Sequence, residues 1–492
     1  MRRMSGSPWF RGAGVLLHPT SLPGPHGIGD LGAGARAFID WLESARMALW
    51  QVLPLVPPGG GDSPYSSTSA FAASPWLIDL SGLREAGLLS DAEVAGALPA
   101  GDIDFGAVHA FKAPRLQLAA DRVPRVDGER FRVEQPWVED AALFSAIRER
   151  LGGAAWWTWP RGLRTREPGA LDEARRQLSR EVDRAVAVQL LFDRQWRTLR
   201  AYAAARGVRI IGDMPIYVDA DSADAWANPE RFVLDAEGGR PVVAGVPPDA
   251  FSDTGQLWGN PLYRWERLQE EGFGWWIARV RRALELTDYV RIDHFRAFSA
   301  YWEVPGDAPD ARGGRWVDGP GAALFDAFKA ALGTLPILAE DLGLIDAPVR
   351  ELLAHTGFPG MKVLQFAFGG DARNLYLPHN HTKGSVVYTG THDNDTTAGW
   401  WASASSGARD HVQRYFGADG RDPVWTFIRA AFASVSDFAI VPMQDVLELG
   451  SEARMNKPAV AGGNWRWRMA WADLRSERAA RLRELAIVYG RV

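Results

Sequence analysis

Acidic and histidine side chains follow four of the short apolar runs that alternate with helical segments along this chain. They are Asp213, Asp293, His294, Glu340, Asp341, His392 and Asp393. A single aspartate in such a place is usually the N-cap of the next helix. Acids or histidines at four strand ends are better explained by one polar pocket, because parallel strands end on the same side of a sheet. We therefore expect carboxylate chemistry at that edge.

Arg291 and Asp293 lie two residues apart in the run VRIDHF, so in a β-strand their side chains share one face. A charged pair that faced the apolar layer between strands and helices would carry a large desolvation cost, so both should point into the pocket. The guanidinium is expected to lower the pKa of Asp293 and keep it ionised, which suits a carboxylate nucleophile. A purely structural ion pair is the alternative.

Glu340 ends the apolar run ILAE. Desolvation and neighbouring carboxylates are expected to raise its pKa, which suits a general acid. One carboxyl group with a lowered pKa and one with a raised pKa form the arrangement of glycoside chemistry. Asp393 supplies a third acid, and His392 is a hydrogen-bond donor beside it. Further histidines at strand ends, His18 and His294, favour a polar, sugar-like ligand.

Two tryptophans are candidates for sugar stacking. Most of the 22 tryptophans are expected to pack in the core. Trp258 in the run QLWGN and Trp465 in the run GGNW are exceptions, because the flanking glycine and asparagine residues indicate loops. We expect these two rings to cover the apolar face of a pyranose.

Eight apolar runs separated by helical segments predict an α/β fold, a (β/α)8 TIM barrel. The runs lie at residues 14–17, 50–55, 208–213, 289–293, 336–340, 362–366, 386–389 and 438–442. Residues 1–492 should form a single catalytic domain. Large, mostly helical insertions are expected at 56–206 after the second strand and at 214–287 after the third, the latter including a lid loop at 244–261.

Composition excludes several classes of protein. The 492 residues are 47% hydrophobic and 23% charged, as in globular domains. The lack of cysteine excludes disulfides, thiolate nucleophiles and cysteine-based metal sites. A net charge of −5 gives no drive toward nucleic acid. Because no apolar run is long enough for a membrane span or a signal peptide, we expect a soluble, cytoplasmic protein without membrane contact.

The runs GDMPIYV, VRIDHFRAF, LAEDLG and GTHDND resemble, in this order, the four short conserved regions of the α-amylase clan. Longer runs are similar to the amylomaltase family, the 4-α-glucanotransferases or disproportionating enzymes of glycoside hydrolase family 77. They are HPTSLPGPHGIGDLG from His18, GDSPYSSTSAF from Gly61, VAGVPPDAFSDTGQLWGNPLY from Val243 and GSEARMNKP from Gly450. Together these motifs are highly specific, and the resemblance covers nearly the whole chain.

The resemblance implies a retaining mechanism on α-1,4-glucans without a metal or other cofactor. It implies Asp293 as nucleophile, Glu340 as acid/base and Asp393 as transition-state stabiliser. Residues that bind the donor sugar or surround the cleft are implied at Asp213, Arg291, His294, His392, Tyr65, Gln256, Trp258 and Asn464. The family also lacks the C-terminal β-sandwich of many α-amylases, and few residues follow the eighth run here.

Two positions depart from the family pattern. Family members often carry a tyrosine where this chain has Ala250 before Phe251, and an aromatic residue where it has Gly60. The first difference weakens the expectation of a lid over the acceptor. The second weakens the expectation of an auxiliary glucan-binding site.

The expected function is the transfer of α-1,4-glucan segments among maltooligosaccharides, amylose and glucose by a monomer, with cyclisation of long glucans. Three alternatives stay open: an α-1,4-glucan hydrolase with the same carboxylates, a metal-dependent barrel enzyme, and a non-catalytic carbohydrate-binding protein. Arg291 beside Asp293 argues against a metal-dependent enzyme, because the guanidinium cation stands where the metal would bind. A non-catalytic carbohydrate-binding protein would not need a matched acid and nucleophile.

Overall fold

The computed structural model describes residues 8–248, 252–343, 345–458, 460 and 462–491. These ranges contain twelve β-strands in two sheets. In chain order the strands are β1 (Gly12–Leu16), β2 (Leu49–Gln51), β3 (Arg209–Met214), β4 (Val242–Val246), β5 (Gln256–Pro261), β6 (Tyr289–Ile292), β7 (Ala300–Pro305), β8 (Arg315–Asp318), β9 (Ile337–Ala339), β10 (Gly360–Val363), β11 (Ser385–Tyr388) and β12 (Phe438–Pro442).

The same ranges contain nineteen α-helices, most of which cover the barrel or build its insertions. They are α1 (Ala33–Ser44), α2 (Leu80–Glu85), α3 (Asp91–Val94), α4 (Phe105–Asp121), α5 (Arg125–Glu134), α6 (Val138–Arg150), α7 (Arg161–Arg164), α8 (Pro168–Gln177), α9 (Ser179–Ala205), α10 (Ala223–Ala227), α11 (Trp265–Glu270), α12 (Gly274–Leu286), α13 (Gly321–Leu332), α14 (Ala347–Thr356), α15 (Thr397–Ser403), α16 (Ser406–Phe416), α17 (Pro423–Ala433), α18 (Met443–Val446) and α19 (Ser476–Val488).

Eight parallel strands form the barrel, in the order β10-β11-β12-β1-β2-β3-β6-β9. The amide of Ala339 in β9 donates to the carbonyl of Pro359, just before β10, at 2.9 Å and joins the two ends of the sheet. The predicted TIM barrel is therefore confirmed. One strand ends earlier than predicted, because Leu364–Phe366 form a turn of 3-10 helix after β10.

Bulky side chains fill the interior of the barrel. The inward-facing cluster includes Leu16, Leu49, Ile211, Tyr289, Leu338, Val363, Tyr388 and Ile440. Neighbouring residues on the same strands face outward and pack against the helices, since side chains alternate along a strand. Polar side chains at the carboxyl ends of the strands therefore lie at one end of a packed apolar barrel interior.

The segment 244–261, predicted as a lid loop, is largely a β-hairpin. It contributes β4 and β5 to an antiparallel sheet of order β5-β4-β7-β8. Three prolines favoured a loop, but two of them lie between the strands and Pro261 ends β5. The strand that pairs with β4 on its other side is β7, which follows β6 in the chain. A local sequence pattern does not reveal such a distant pairing. The insertion at 214–287 was expected to be mostly helical, but it contains both strands and helices.

The other insertion, residues 56–206, contains α2 to α9 and is helical. After β12, the part of the chain that the structure describes contains α18 and α19 but no strand, in agreement with the absence of a C-terminal β-sandwich. Within the described ranges, no helix combines the length and the apolar character needed to cross a membrane.

Candidate active site

Four acidic residues that the sequence singles out lie at the carboxyl ends of barrel strands. Asp213 belongs to β3, Asp293 and Glu340 directly follow β6 and β9, and Asp393 follows β11. Strands β3, β6 and β9 are neighbours, and Asp213 stands opposite Arg291 in the β3–β6 register. Barrel topology thus brings together side chains that are far apart in the sequence.

The Arg291 guanidinium lies between two carboxylates. Its Nη1 donates to both oxygens of Asp213 at 2.8 Å, and its Nη2 lies 2.8 Å from Oδ1 of Asp293. The side chains of Arg291 and Asp213 are buried, whereas that of Asp293 is 27% exposed. The same-face pair predicted from the sequence is therefore present, and of the two carboxylates that contact Arg291, Asp293 is the one that solvent reaches.

Backbone amides hold the Glu340 carboxyl group. The N–H of His294 donates to Oε2 at 2.7 Å, and the N–H of Leu342 donates to Oε1 at 2.9 Å. His294 has a left-handed backbone conformation, with φ 54° and ψ 48°, which is uncommon for a residue other than glycine. Burial and, to a lesser extent, the charge of Asp293 raise the pKa of Glu340 to about 7. Near neutral pH such a group can both give and take a proton.

The Asp393 carboxylate has the opposite electrostatic character. Nε2 of His392 lies 3.3 Å from Oδ2, and Nδ2 of Asn456 donates to Oδ1 at 2.6 Å. Burial opposes ionisation, but His392, Asn456 and Arg291 together hold the pKa of Asp393 below its ordinary value. The cleft thus combines a carboxyl group that is protonatable near neutrality with one that stays ionised, the contrast on which glycoside chemistry depends.

Aromatic rings pack together beside the carboxylates. The Tyr65 hydroxyl donates to Oδ2 of Asp213 at 2.7 Å. Its ring stacks on His392, with centroids 5.0 Å apart and an interplanar angle of 14°. The ring of Trp465 lies 5.8 Å from Tyr65 and 5.9 Å from His392. Tyr65, His392 and Trp465 therefore form one aromatic cluster next to the carboxylates. Trp465 is only 6% exposed and packs with the barrel interior, so the expectation that it escapes core packing is wrong.

The β4–β5 hairpin brings a further aromatic side chain to the site. Trp258 contacts the His294 ring edge to face, with centroids 4.8 Å apart, and its indole N–H donates to Oε1 of Gln256 at 3.1 Å. Trp258 is 37% exposed, so part of its ring is open to a ligand. Burial lowers the pKa of His294 to about 4, which leaves the imidazole neutral at pH 7.

Asn464 differs from the other predicted cleft residues. Its side-chain oxygen accepts from the N–H of Lys457 at 2.9 Å, and its Nδ2 donates to the carbonyl of Val460 at 2.9 Å. These bonds tie the carboxamide to its own loop, so a contact between Asn464 and sugar stays a prediction. Ala250 and Phe251 lie outside the described residues. A side chain at Gly60 would meet nothing within 4 Å, so that position is open.

Two residues that no sequence pattern singles out hold Asp393 in place. Nη2 of Arg454 donates to the carbonyl of Asp393 at 2.6 Å, and the N–H of Asn456 donates to the carbonyl of His392 at 3.0 Å. Both belong to the run GSEARMNKP, whose only signal in the sequence is the family resemblance. No periodicity or charge pattern connects this run with a strand end that lies 61 to 63 residues earlier.

Comparisons with known proteins identify the family. A family model described as 4-alpha-glucanotransferase matches residues 17–474. The 4-alpha-glucanotransferase of Thermus thermophilus is 50% identical over 492 residues, which cover 97% of this chain and 98% of that protein. The chloroplastic/amyloplastic 4-alpha-glucanotransferase of Arabidopsis thaliana is 47% identical over 496 residues, which cover 98% of this chain and 86% of that protein. The solved structure of Streptococcus agalactiae amylomaltase in complex with acarbose matches with a TM-score of 0.95 at 41% identity and covers 98% of this chain and 99% of that one. The chain therefore belongs to the 4-alpha-glucanotransferase family, glycoside hydrolase family 77.

Proposed function

We propose that this protein is a retaining 4-α-glucanotransferase, which cleaves an α-1,4 bond in one glucan and joins the released segment to another. The observation that carries the proposal is the contrast between two neighbouring carboxyl groups. Asp293 is paired with the buried guanidinium of Arg291, whereas burial raises the pKa of Glu340 to about 7. A nucleophilic carboxylate beside a protonatable carboxyl group is what transfer through a covalent intermediate requires.

In the first half-reaction, an oxygen of Asp293 attacks the anomeric carbon of the donor glucose unit. Glu340 gives its proton to the glycosidic oxygen, so that the C–O bond breaks and the leaving glucan departs with a 4-hydroxyl group. The product is a glucosyl ester on Asp293 with inverted configuration. Retaining enzymes place the two carboxyl groups about 5–5.5 Å apart. The bond from the amide of His294, the residue after Asp293, to Oε2 of Glu340 supports such a close placement.

In the second half-reaction, ionised Glu340 accepts the proton of the acceptor's 4-hydroxyl group. The acceptor oxygen attacks the anomeric carbon, the Asp293 carboxylate leaves, and the second inversion restores the α-configuration. Positive charge develops on the sugar ring in both transition states. Asp393, which His392 and Asn456 help to keep ionised, supplies a fixed negative charge that stabilises them.

The acceptor must outcompete water for the glucosyl ester. Water at about 55 M has an advantage of about 5 kcal/mol over an acceptor at about 10 mM. Alignment of the acceptor hydroxyl with the ester can supply about 7–11 kcal/mol and reverse that advantage. Trp258, partly exposed on the β4–β5 hairpin next to His294, offers an aromatic surface for this alignment. We therefore expect transfer to exceed hydrolysis.

Incubation with maltotriose as sole substrate tests the proposal. Glucose and longer maltooligosaccharides should appear together while the total concentration of reducing ends stays nearly constant, because each bond that is broken is replaced by another. Chromatography of the sugars and a reducing-end assay on the same samples measure both quantities. A rise in reducing ends that equals the number of bonds cleaved would identify a hydrolase instead.

Activity is expected to survive exhaustive chelation. The space between Asp213 and Asp293, where a divalent cation would be held, is occupied by the Arg291 guanidinium at 2.8 Å from both carboxylates. The measurement is the rate of maltotriose disproportionation before and after dialysis against EDTA. Complete loss of activity that a divalent ion restores would support a metal-dependent enzyme.

The proposed donors are maltooligosaccharides and amylose, and the proposed acceptors are the same glucans or glucose. A long donor is cyclised when its own free 4-hydroxyl end acts as the acceptor.

One chain supplies all the proposed catalytic groups, so we propose that it acts as a monomer. A chain without cysteine suits a reducing compartment, and we place the reaction in the cytoplasm.

A further inference from the structure

We infer that Asn456 is a positioning residue, which orients the Asp393 carboxylate toward the sugar ring in the transition state. This inference rests on the proposed function, in which Asp393 stabilises positive charge. It concerns a side chain that does not itself touch the reacting atoms and that acts through Asp393.

Each oxygen of the Asp393 carboxylate has a side-chain partner. Nδ2 of Asn456 donates to Oδ1 at 2.6 Å, and Nε2 of His392 lies 3.3 Å from Oδ2. A carboxylate rotates freely about its terminal torsion unless both oxygens are held. The shorter contact comes from Asn456, a neutral donor that fixes the carboxylate plane and leaves its negative charge in place.

The backbone around Asn456 keeps its side chain within reach of Asp393. The N–H of Asn456 donates to the carbonyl of His392 at 3.0 Å. Nη2 of Arg454 donates to the carbonyl of Asp393 at 2.6 Å, and Nε of Arg454 donates to the carbonyl of Asn456 at 2.7 Å. Residues 454–456 and 392–393 are thus joined by two bonds in addition to the side-chain contact, and the third bond ties Arg454 to Asn456 within their own segment. These bonds hold the carboxamide of Asn456 in one position.

A structural role is the competing explanation. The N–H of Trp465 donates to the carbonyl of Met455 at 2.7 Å, so Asn456 also stands at the base of the loop that carries Trp465. If Asn456 only closed this loop, its replacement would lower stability or weaken sugar binding. It would leave the ionisation of Asp393 unchanged.

The pH dependence separates the two explanations. Asp393 must be ionised to act, so a rise in its pKa lowers the rate at the acid end of the pH profile. Loss of the Asn456 donor raises that pKa, and a carboxylate at position 456 raises it more, because two like charges then share the site. Both changes move the acid limb to higher pH. The other groups that face Asp393, namely His392, Arg291 and Tyr65, are present in every Asn456 variant.

The experiment measures kcat, KM and the pH profile of maltotriose disproportionation by the full-length enzyme and its variants. We expect Asn456→Asp to lower kcat about 100-fold near pH 7 and to change KM by less than about threefold. Asn456→Ala should lower kcat about 10-fold, and both variants should shift the acid limb upward. The matched control is Asn228→Asp in the insertion after β3, where the carboxamide donates to the carbonyl of Asp224. It should leave the acid limb unmoved.

The inference is overturned if Asn456→Ala is folded and keeps both its kcat and its acid limb, whether or not Asn456→Asp folds. It is also overturned if the variants lose only thermal stability or sugar affinity. Asp393→Asn separates this outcome from a failure of the proposed function. An inactive Asp393→Asn protein beside a fully active Asn456→Ala protein rejects only the role of Asn456, whereas an active Asp393→Asn protein rejects the role of Asp393 itself.

Discussion

Replacement of Asp293 by asparagine is expected to lower the rate of glucan transfer on the order of 10⁴-fold or more while the fold stays intact. A carboxamide has nearly the same shape as the carboxylate but is a poor nucleophile and forms no glucosyl ester. The fold should tolerate the change, because Arg291 keeps its two contacts with Asp213 and the Asp293 side chain is 27% exposed. Initial rates with maltotriose and a thermal unfolding curve measure the two effects.

Asp326→Asn is the matched control for this substitution. Asp326 lies on α13, its side chain is 61% exposed, and it contacts His355 at the surface. The same chemical change there should leave the transfer rate unaltered. A folded Asp293→Asn protein that kept a tenth of the wild-type rate would contradict the assignment of Asp293 as nucleophile.

The grouping of acidic residues around Arg291 was predictable from the sequence because two local rules apply to them. Side chains alternate along a strand, so Arg291 and Asp293 must share a face, and barrel enzymes collect their functional groups at the carboxyl ends of the strands. Asp213, Glu340 and Asp393 satisfy the second rule. Neither rule requires knowledge of which strands are neighbours, and so the sequence was sufficient for this part of the site.

Other parts of the site depend on contacts between distant segments. The β4–β5 hairpin is stabilised by pairing with β7, which lies on the other side of β6 in the chain. Its prolines favour a loop, and nothing local indicates the pairing. The contact between Asn456 and Asp393 is of the same kind, since asparagine in a loop has many possible partners. The family resemblance implied Asn464 as a cleft residue, but only the structure shows that its carboxamide bonds to Lys457 and Val460.

The second large effect is expected at Glu340. Glu340→Gln should lower the rate of glucan transfer about 10²–10⁴-fold, the usual contribution of a general acid–base residue. The wild-type enzyme needs protonated Glu340 in the first half-reaction, and burial raises the pKa of this group to about 7. The fraction of protonated Glu340 therefore falls as the pH rises through about 7, and the rate of the first step should fall with it. Because glutamine does not titrate, this basic limb should be absent from the variant.

A substrate with a leaving group that needs no proton tests the assignment of Glu340 directly. Fluoride departs from α-maltosyl fluoride without general acid assistance, so Glu340→Gln should still form the ester on Asp293. The second half-reaction needs Glu340 as a base, so the ester should accumulate as a burst of fluoride and as a maltosyl adduct in the mass spectrum of the protein. Glu129→Gln, at a side chain that is 58% exposed on α5, serves as the matched control and should turn over both substrates normally. If the fluoride burst of Glu340→Gln were slowed as much as its turnover of maltotriose, the leaving-group proton would not come from Glu340, and another group would have to supply it.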